Sequence, residues 1–436
     1  MRALRPIFVV LYLLTLLFFV AACGGDDSDS KGASQGAAGG VDVLGIWGSE
    51  ELTKFEAMVK PWEKDNRGKV NFTGSRDITA LLTTRVEGGN PPDIAIPAEV
   101  GLFKRFAAQG KLTPLSRCEG LESLVREQYP KDFVDLGTVN GTLYGFFMKA
   151  DTKATVWYNP KLFNEKGVQP LTASSKFADL VALSEKLKDA GITPWSMGVE
   201  AGAASGWPGG DWVQQILLNE SGPDVYNGVI EGSIRFSDPR VKDAWQKFGQ
   251  IVHAQGFVLG GTIAVNATNF KDSAYPPFQA PPKAAMVYLG GFASGFIKDQ
   301  FPHLKANQDY DFFPFPGGGV TGGANIVYAF NSDAATCSLL RNLASADAQK
   351  IWVKQGGFTS VNKNVDLDSY SDEASRRQAE QLLKAGAFRL DLDDAIGGAV
   401  QQAMFAAVTQ YIADPTKLDS LLANLDSTRA GQGGRR

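Results

Sequence analysis

Strand and helix signals alternate from residue 41 onward, and this alternation most limits what the chain can fold into. Short β-branched runs occur at "VDVLGIW", "GKVNFTGS" and "DIAIPA". Helix signals follow each of them, over 50–60, over 78–86 and over 99–109. Helices that connect successive strands through short loops are typical of an open α/β sheet, in which ligands bind at the carboxyl ends of the strands.

The rest of the chain continues in the same style. Strands are predicted at "GTLYGFF", "ATVWYNP" and "KAAMVYLGG", and amphipathic helices are predicted over 177–188, 211–219 and 241–252. The last third, 373–425, is predicted to be mainly helical with a break at two glycines. We therefore predict an α/β protein with mostly parallel sheets flanked by helices.

The N-terminus has the pattern of an export signal. Two arginines precede an apolar run from Ile7 to Ala22, which is typical of a cleaved secretory signal and shorter than the ~20 residues of a membrane span. Cys23 follows small residues and resembles the lipidated cysteine of a bacterial lipoprotein, ahead of a small polar stretch that suits a tether. We predict a signal peptide over 1–22 and a lipid-anchored tether over 23–40 on the outer face of the cytoplasmic membrane. The alternative is an ordinary signal peptide with a chance cysteine.

Composition limits the class of the remaining chain. Hydrophobic residues make up 44%, aromatic residues 11% and charged residues 21% of the sequence, as in an ordinary globular protein. About 400 residues exceed what one hydrophobic core accommodates, so two domains are expected. The formal net charge of −4 offers no basic surface for nucleic acid.

The cysteines and histidines leave few options for redox or metal chemistry. Besides Cys23, the chain contains Cys118 and Cys337, which in an exported protein either pair or remain as buried free thiols. His253 and His303 are far apart in sequence, and no CxxC motif is present. We therefore predict neither a metal site nor a cofactor.

A series of short phrases resembles one protein family. In order they are "GGNPPDIA", "AAQGKLTPLS", "GTLYGFF", "VWYNPKLFNEKG", "GITPW", "RFSDPRVKDAW", "KAAMVYLGG" and "SADAQKIWVKQGGFTSVNK". Their order and spacing, from residue 41 to the mid 390s, resemble the bacterial family 1 extracellular solute-binding proteins, which feed carbohydrate ABC importers and include maltose-binding protein. The chain departs from the family at "LTASSKFADL", where many members have a Thr-Trp pair that is usually structural.

The resemblance implies two α/β lobes joined by hinge strands, the type II periplasmic-binding-protein fold. Lobe 1 would comprise 41–150 and 315–352, and lobe 2 would comprise 155–312 and 355–430. Ligand would bind in the cleft, and the lobes would close on it. Cys118 and Cys337 would both fall in lobe 1, which makes a bridge between them feasible.

A sugar site needs aromatic rings for C–H faces and polar groups for hydroxyls. Several candidates also have a structural interpretation: Trp47 could pack at the sheet edge, Ser49 and Asp77 could cap helices, and Lys149 with Asp151 could form a solvated pair. The candidates in the first part of the chain are Trp47, Ser49, Glu50, Arg76, Asp77, Glu99, Lys149 and Asp151.

The stretch "ASGWPGGDW" at 204–212 contains two tryptophans with different expected roles. Asp211 followed by Gln214 has the spacing of a capping box, which predicts a helix that begins at Trp212 and packs that ring in the core. Trp207 has no apolar partners at helical spacing, so we predict that it is the aromatic platform for the ligand. Further candidates are Asp211, Gly291, Phe292, Gly323, Asp391 and Asp393, although the last two could form a solvated acidic turn.

We therefore predict a monomeric lipid-anchored receptor that captures a sugar or short oligosaccharide, with α-glucosides favoured, and delivers it to an ABC permease. The alternatives are a receptor for another solute, such as a polyamine, iron or an organic anion, a glycosidase with paired carboxylates, and a structural surface lipoprotein. The sequence lacks GxSxG, HExxH and P-loop motifs, and the GxGxxG within "GGGVTGG" leads into an apolar run rather than a helix. A receptor without enzymatic activity is the expected class.

Overall fold

A computed structural model describes residues 40–66, 68–385 and 387–433. The predicted signal peptide, Cys23 and nearly all of the tether therefore lie outside the described residues. No helix in the described ranges is both long and apolar enough to cross a membrane.

The strands and helices that the sequence predicts are present, although the helix predicted over 211–219 begins earlier, at Trp207. The strands are β1 (Val41–Gly45), β2 (Val70–Gly74), β3 (Ile94–Ile96), β4 (Thr138–Val139), β5 (Thr142–Leu143), β6 (Gly145–Thr152), β7 (Thr155–Tyr158), β8 (Trp195–Ser196), β9 (Met286–Tyr288), β10 (Asp311–Pro314), β11 (Val320–Ala329), β12 (Thr359–Ser360) and β13 (Phe388–Leu390). The helices are α1 (Ser49–Asn66), α2 (Ile78–Glu87), α3 (Val100–Ala108), α4 (Leu121–Gln128), α5 (Lys131–Leu136), α6 (Pro160–Glu165), α7 (Phe177–Asp189), α8 (Trp207–Glu231), α9 (Pro239–Val252), α10 (Gly261–Ala267), α11 (Ala293–Gln300), α12 (Ala334–Ala344), α13 (Ala346–Val353), α14 (Glu373–Lys384), α15 (Leu392–Ile396), α16 (Gly398–Ala413) and α17 (Leu418–Gly433).

The larger sheet brings four strand ends to one edge. Its strand order is β12-β6-β11-β3-β1-β2, and β13 pairs with one end of β11. β1 runs parallel to β2 and β3, whereas β11 runs antiparallel to both β3 and β6. β6 therefore runs in the same direction as β1–β3, and the residues that follow these four strands meet at the same edge.

The smaller sheet has the order β10-β7-β9-β8. β9 is parallel to β8, and β7 is antiparallel to both of its neighbours. The start of β7 and the ends of β8 and β9 therefore share one edge. This edge receives Lys153 from the segment before β7, and Phe292 from the loop after β9.

The prediction of mostly parallel sheets is wrong, although the α/β class is right. Parallel pairing is found in β1–β2, β1–β3, β8–β9 and β11–β13, and the remaining pairs of the two sheets are antiparallel. The physical reason lies in β7 and β11. Each enters its sheet from the other sheet rather than through a crossover helix, and so arrives in the reversed direction.

A first hydrophobic core surrounds the larger sheet, and a second core with a smaller cluster beside it surrounds the smaller sheet. The chain passes between the sheets at 152–155 and 314–320, and it passes from the first core to the second at 390–392. The third passage differs from the predicted boundary near 352, because Phe358, Val361 and Leu390 pack in the first core. Leu392 packs in the second core. We keep the predicted lobes as a proposal and place their last boundary near residue 390.

A disulfide joins Cys118 and Cys337 within the first core. It links the segment before α4 to α12 across a sequence separation of 219 residues. Long loops of this kind lose the most conformational entropy when they are closed in the unfolded chain, so the bridge stabilises this core.

Candidate functional site

A cavity of about 420 Å³ lies between the facing edges of the two sheets. This volume falls within the range of small-molecule sites. Residues that follow β1, β2, β3, β6 and β9 line it, together with the start of α8 and the segment 391–405. The predicted residues that line this cavity are Trp47, Arg76, Asp77, Glu99, Lys149, Asp151, Trp207, Asp211, Phe292, Gly323, Asp391 and Asp393.

Three predicted residues do not line the cavity. Ser49 is exposed and has a φ of 49°, and Glu50 pairs with Lys271 at 3.2 Å. Gly291 has no room for a side chain, because a Cβ there would lie 2.5 Å from Gln378 Oε1. These three residues are therefore not part of the cavity wall.

The carboxylate that α1 presents to the cavity is Glu51 rather than Glu50. Glu51 lies one helical turn before the buried Phe55, so both point toward the sheet. This spacing was present in the sequence, where Phe55 and Val59 already marked the buried face. The position of a residue around the helix axis, rather than its distance from the end of β1, therefore identifies which glutamate lines the cavity.

Lys149 forms the centre of a first ionic group at the edge of the larger sheet. Its Nζ lies 3.1 Å from Glu51 Oε1 and 3.5 Å from Asp151 Oδ2, and Arg76 bonds Glu51 at 3.0 Å. Burial acts to raise the pKa of Glu51, but Lys149 and Arg76 outweigh it and lower that pKa. For Asp151 burial dominates and the pKa is raised.

Lys153 forms the centre of a second ionic group, beside the aromatic wall. Its Nζ lies 2.7 Å from Asp211 Oδ2 and 3.4 Å from Asp391 Oδ2. It also lies 4.2 Å from the centroid of the Trp207 ring, a favourable cation–π distance. Lys153 is not among the predicted site residues. Lys149, Asp151 and Lys153 are spaced two residues apart. In an extended chain this spacing places all three side chains on the same face, so the sequence contained a pattern that could have identified Lys153.

Trp207 lies in an aromatic wall of the cavity and is only partly buried. It meets Phe270 edge-on at 5.1 Å and Phe292 at 6.0 Å between ring centroids. Trp212 is 1% exposed and packs between Trp195 and Tyr288, so the prediction that it belongs to the core is confirmed. The two tryptophans of this stretch therefore occupy different environments.

The predicted capping box at Asp211 is wrong, because α8 begins at Trp207. Pro208 fits the first turn, where a helix needs no backbone donor, so the helix starts earlier than the polar signal indicates. The preceding Gly206 has a φ of 116°, and a Cβ there would lie 2.2 Å from the carbonyl oxygen of Phe405. Asp211 therefore lies in the second turn, buried against Lys153.

Trp47 packs more tightly than a free platform would. It is 1% exposed, and its ring contacts Phe55, Phe72 and Trp352 at centroid distances of 5.4, 6.2 and 4.8 Å. The structure thus favours packing at the sheet edge, with Trp47 forming part of the cavity floor.

The remaining side of the cavity is acidic. Asp393 accepts a hydrogen bond from Gln214 at 2.6 Å, Asp394 accepts one from Gln401 at 2.9 Å, and Glu99 accepts one from Thr79 at 2.7 Å. Burial raises the pKa of Asp393 to about 6. Several lining residues are not among the predicted ones; they include Glu51, Lys153, Phe270, Asn325, Asp394 and Gln401. Across the described ranges, no group of three or more His, Cys, Asp or Glu residues could hold a metal ion.

Two α/β lobes that enclose a polar and aromatic cavity define a two-lobed solute receptor. The model of the bacterial extracellular solute-binding proteins matches residues 48–350. The chain belongs to this family, whose members are solute-binding proteins rather than enzymes.

Two relatives match the chain over most of its length. It is 32% identical to the osmoprotective compounds-binding protein GgtB of Synechocystis sp., over 94% of this chain and 97% of that protein. It is 30% identical to the alpha-glucosides-binding periplasmic protein AglE of Rhizobium meliloti, over 84% of this chain and 81% of that protein.

Solved structures share the fold at low sequence identity. The bacterial solute receptor AcbH superposes with a TM-score of 0.77 at 17% identity, covering 91% of this chain and 99% of AcbH. Maltose-bound MalE3 of T. maritima superposes with a TM-score of 0.71 at 16% identity, covering 89% and 98%. These likenesses confirm the predicted two-lobed fold.

Proposed function

We propose that this protein is the receptor of an ABC importer and binds a small α-glucoside in the cavity between its lobes. The observation that carries the proposal is the pairing of an aromatic wall with ion-paired carboxylates around one cavity of about 420 Å³. Aromatic faces suit the C–H surface of a pyranose, and fixed charged groups suit its hydroxyls. The name of AglE supports α-glucosides as the ligand class, and the name of GgtB supports osmoprotective compounds.

The aromatic side chains named above line the cavity from one lobe, whereas charged side chains line it from both lobes. Trp207, Phe270 and Phe292 belong to the smaller-sheet lobe, whereas Lys149 and Glu51 belong to the larger-sheet lobe. A sugar that stacks on Trp207 and bonds Glu51 would contact both lobes at once. Such contacts exist together only when the lobes are close, so ligand binding favours a closed form.

Three short passages connect the lobes, at 152–155, 314–320 and 390–392. Few residues would need to change their backbone angles for the lobes to move, which suits a hinge. The closed form would then dock on the permease as a monomer. Lipid attachment at Cys23 would hold the receptor at the outer face of the membrane, and two or more acyl chains would make that attachment stable.

Thermal unfolding with a panel of disaccharides tests the ligand class. Maltose, trehalose and sucrose present an α-glucosyl unit, and cellobiose and lactose serve as β-linked controls of similar size. We expect at least one α-glucoside to raise the unfolding midpoint by an amount that grows with its concentration. The proposal fails if β-linked sugars or a non-sugar solute raise the midpoint and no α-glucoside does.

Lipidation is tested separately by detergent phase partition of membranes from cells that express the full chain. The wild type should enter the detergent phase, and Cys23→Ser should remain in the aqueous phase. Equal partition of both would contradict the anchor without affecting the ligand proposal.

A further inference from the structure

One end of the cavity gathers carboxyl groups from two helices; we call it the acidic end and define it by Glu99, Asp391, Asp393 and Asp394. Glu99 is the residue before α3, and the three aspartates begin α15. The two helices approach closely, because a Cβ on Gly101 would lie 2.5 Å from the carbonyl oxygen of Ile396. Glycine at this position lets the two sets of carboxyl groups meet.

Three residues that line the cavity here each have a buried side-chain oxygen without a hydrogen-bond partner: Glu99 Oε2, Asp391 Oδ1 and Gln401 Oε1. Their residues are 8%, 2% and 2% exposed. The amide nitrogen of Gln401 is already used, since it donates to Asp394. What this end offers to a ligand is therefore a set of acceptors, and a matching ligand group must donate.

The cations of the cavity already have carboxylate partners, and among the described ion pairs Asp391 is the one member of the acidic end that takes part. Arg76 and Lys149 pair with Glu51 and Asp151, and Lys153 is shared between Asp211 and Asp391. Among the described ion pairs, Glu99, Asp393 and Asp394 have no cationic partner, and neutral side chains supply their hydrogen bonds. The other titratable groups that face this end are Lys153, Asp77, Asp211, Tyr226, Tyr288 and Tyr328, and Arg105 lies near Tyr328.

We propose that the acidic end binds a positively charged amino group, so that the protein prefers a basic amino-sugar glycoside to its neutral counterpart and rejects sugar acids. The inference rests on the proposed function, because it names a charge class within the α-glucosides. Buried carboxylates without a counter-charge are costly, and a ligand ammonium would offset that cost while donating to the free oxygens. A ligand carboxylate would meet like charges and the three unpartnered acceptor oxygens.

The pKa values of the carboxyl groups at the acidic end predict how the preference for an amino sugar should depend on pH. Burial raises the pKa of Glu99 and of Asp394, and it raises that of Asp393 to about 6. A bound ammonium favours the ionised carboxylates, so affinity for the amino sugar should fall as pH falls from about 7.5 to 5. Affinity for a neutral glycoside should stay level or rise over the same interval.

Titration calorimetry on the mature protein tests the inference with three kinds of ligand. These are the neutral α-glucoside with the largest thermal shift, its amino-deoxy derivatives with the amine at each carbon in turn, and its uronic acid. We expect at least one amino derivative to bind about tenfold more tightly than the neutral sugar, as a new close charge pair would provide. We expect the uronic acid to bind more weakly than either.

Glu99→Gln removes one charge while keeping an acceptor for Thr79. It should reduce the ratio of amino-sugar to neutral-sugar affinity. Asp368→Asn removes a carboxylate that is 94% exposed and should leave the ratio unchanged.

The inference is overturned if no amino derivative exceeds the neutral sugar, or if Glu99→Gln leaves the ratio as it is in the wild type. If neutral α-glucosides bind and amino derivatives do not, only this inference fails. If no α-glucoside of any charge binds, the proposed function fails as well.

Discussion

Replacing Lys153 by methionine removes the only ammonium that Asp211 and Asp391 share among the described ion pairs. The three side chains are 9%, 5% and 3% exposed, so water cannot replace the lost contact. Removing one partner of a buried ion pair costs about 3–5 kcal/mol, because a buried charge is left uncompensated. We expect Lys153→Met to lose this much free energy of unfolding near neutral pH.

The loss should depend on pH in a defined direction. Burial raises the pKa of both aspartates and Lys153 opposes that rise, so without Lys153 the two pKa values rise further. A carboxyl group whose pKa is higher in the folded state than in the unfolded state favours folding at low pH, and this contribution is lost as pH rises through the folded value. The loss of unfolding free energy in Lys153→Met should therefore be larger at about pH 7.5 than at about pH 5. For each extra proton that the folded variant binds, this loss can grow by up to ~1.4 kcal/mol per pH unit.

Urea unfolding followed by circular dichroism at both pH values measures this deficit. Lys161→Met is the matched control, since Lys161 pairs with Asp309 at the surface and is 74% exposed. The control should change stability by less than about 0.5 kcal/mol. A deficit of Lys153→Met that is the same at both pH values, or no larger than that of the control, would refute the reasoning.

The remaining predictions concern aromatic, covalent and acidic groups. Trp207→Ala should weaken α-glucoside binding by at least ~1 kcal/mol in calorimetry, with little change in the unfolding midpoint. Trp212→Ala should instead lower the free energy of unfolding by about 3–5 kcal/mol. The reverse pattern would contradict the roles assigned to the two tryptophans. Replacing Cys118 and Cys337 together by serine should lower the free energy of unfolding in urea by about 2–5 kcal/mol, and an unchanged value would contradict a stabilising bridge. The pKa of Asp393 is raised by burial to about 6; wild-type stability should therefore decline relative to Asp393→Asn as pH rises from about 4 to 7, and parallel stability curves of the two proteins would contradict this.

Much of the site could be predicted because strand ends converge. The residues after β1, β2, β3 and β6 are far apart in sequence, yet parallel orientation brings them to one edge. Of the predicted site residues, Arg76 and Glu99 follow β2 and β3 and line the cavity, and Lys149 lines it from within β6. Local periodicity also predicted most helices, since amphipathic spacing reports which face is buried.

What could not be predicted depends on long-range pairing. The direction of β7 and β11 follows from their entry from the opposite lobe, which no local pattern encodes. The partners of Lys153 lie 58 residues away at Asp211, and further still at Asp391. The predicted start of α8 was wrong because the polar capping pattern at Asp211 competed with a Gly-Trp-Pro start. The close approach of Gly206 to the backbone of Phe405 is a tertiary feature that the local sequence does not show.

A crystal structure of the mature protein with a bound α-glucoside tests the central claim most directly. The account predicts a glucosyl ring stacked on Trp207, with hydroxyls bonded to Glu51 or Lys149 from the other lobe and the lobes closed around it. A sugar bound outside this cavity, or one that contacts a single lobe and leaves Trp207 free, would contradict it.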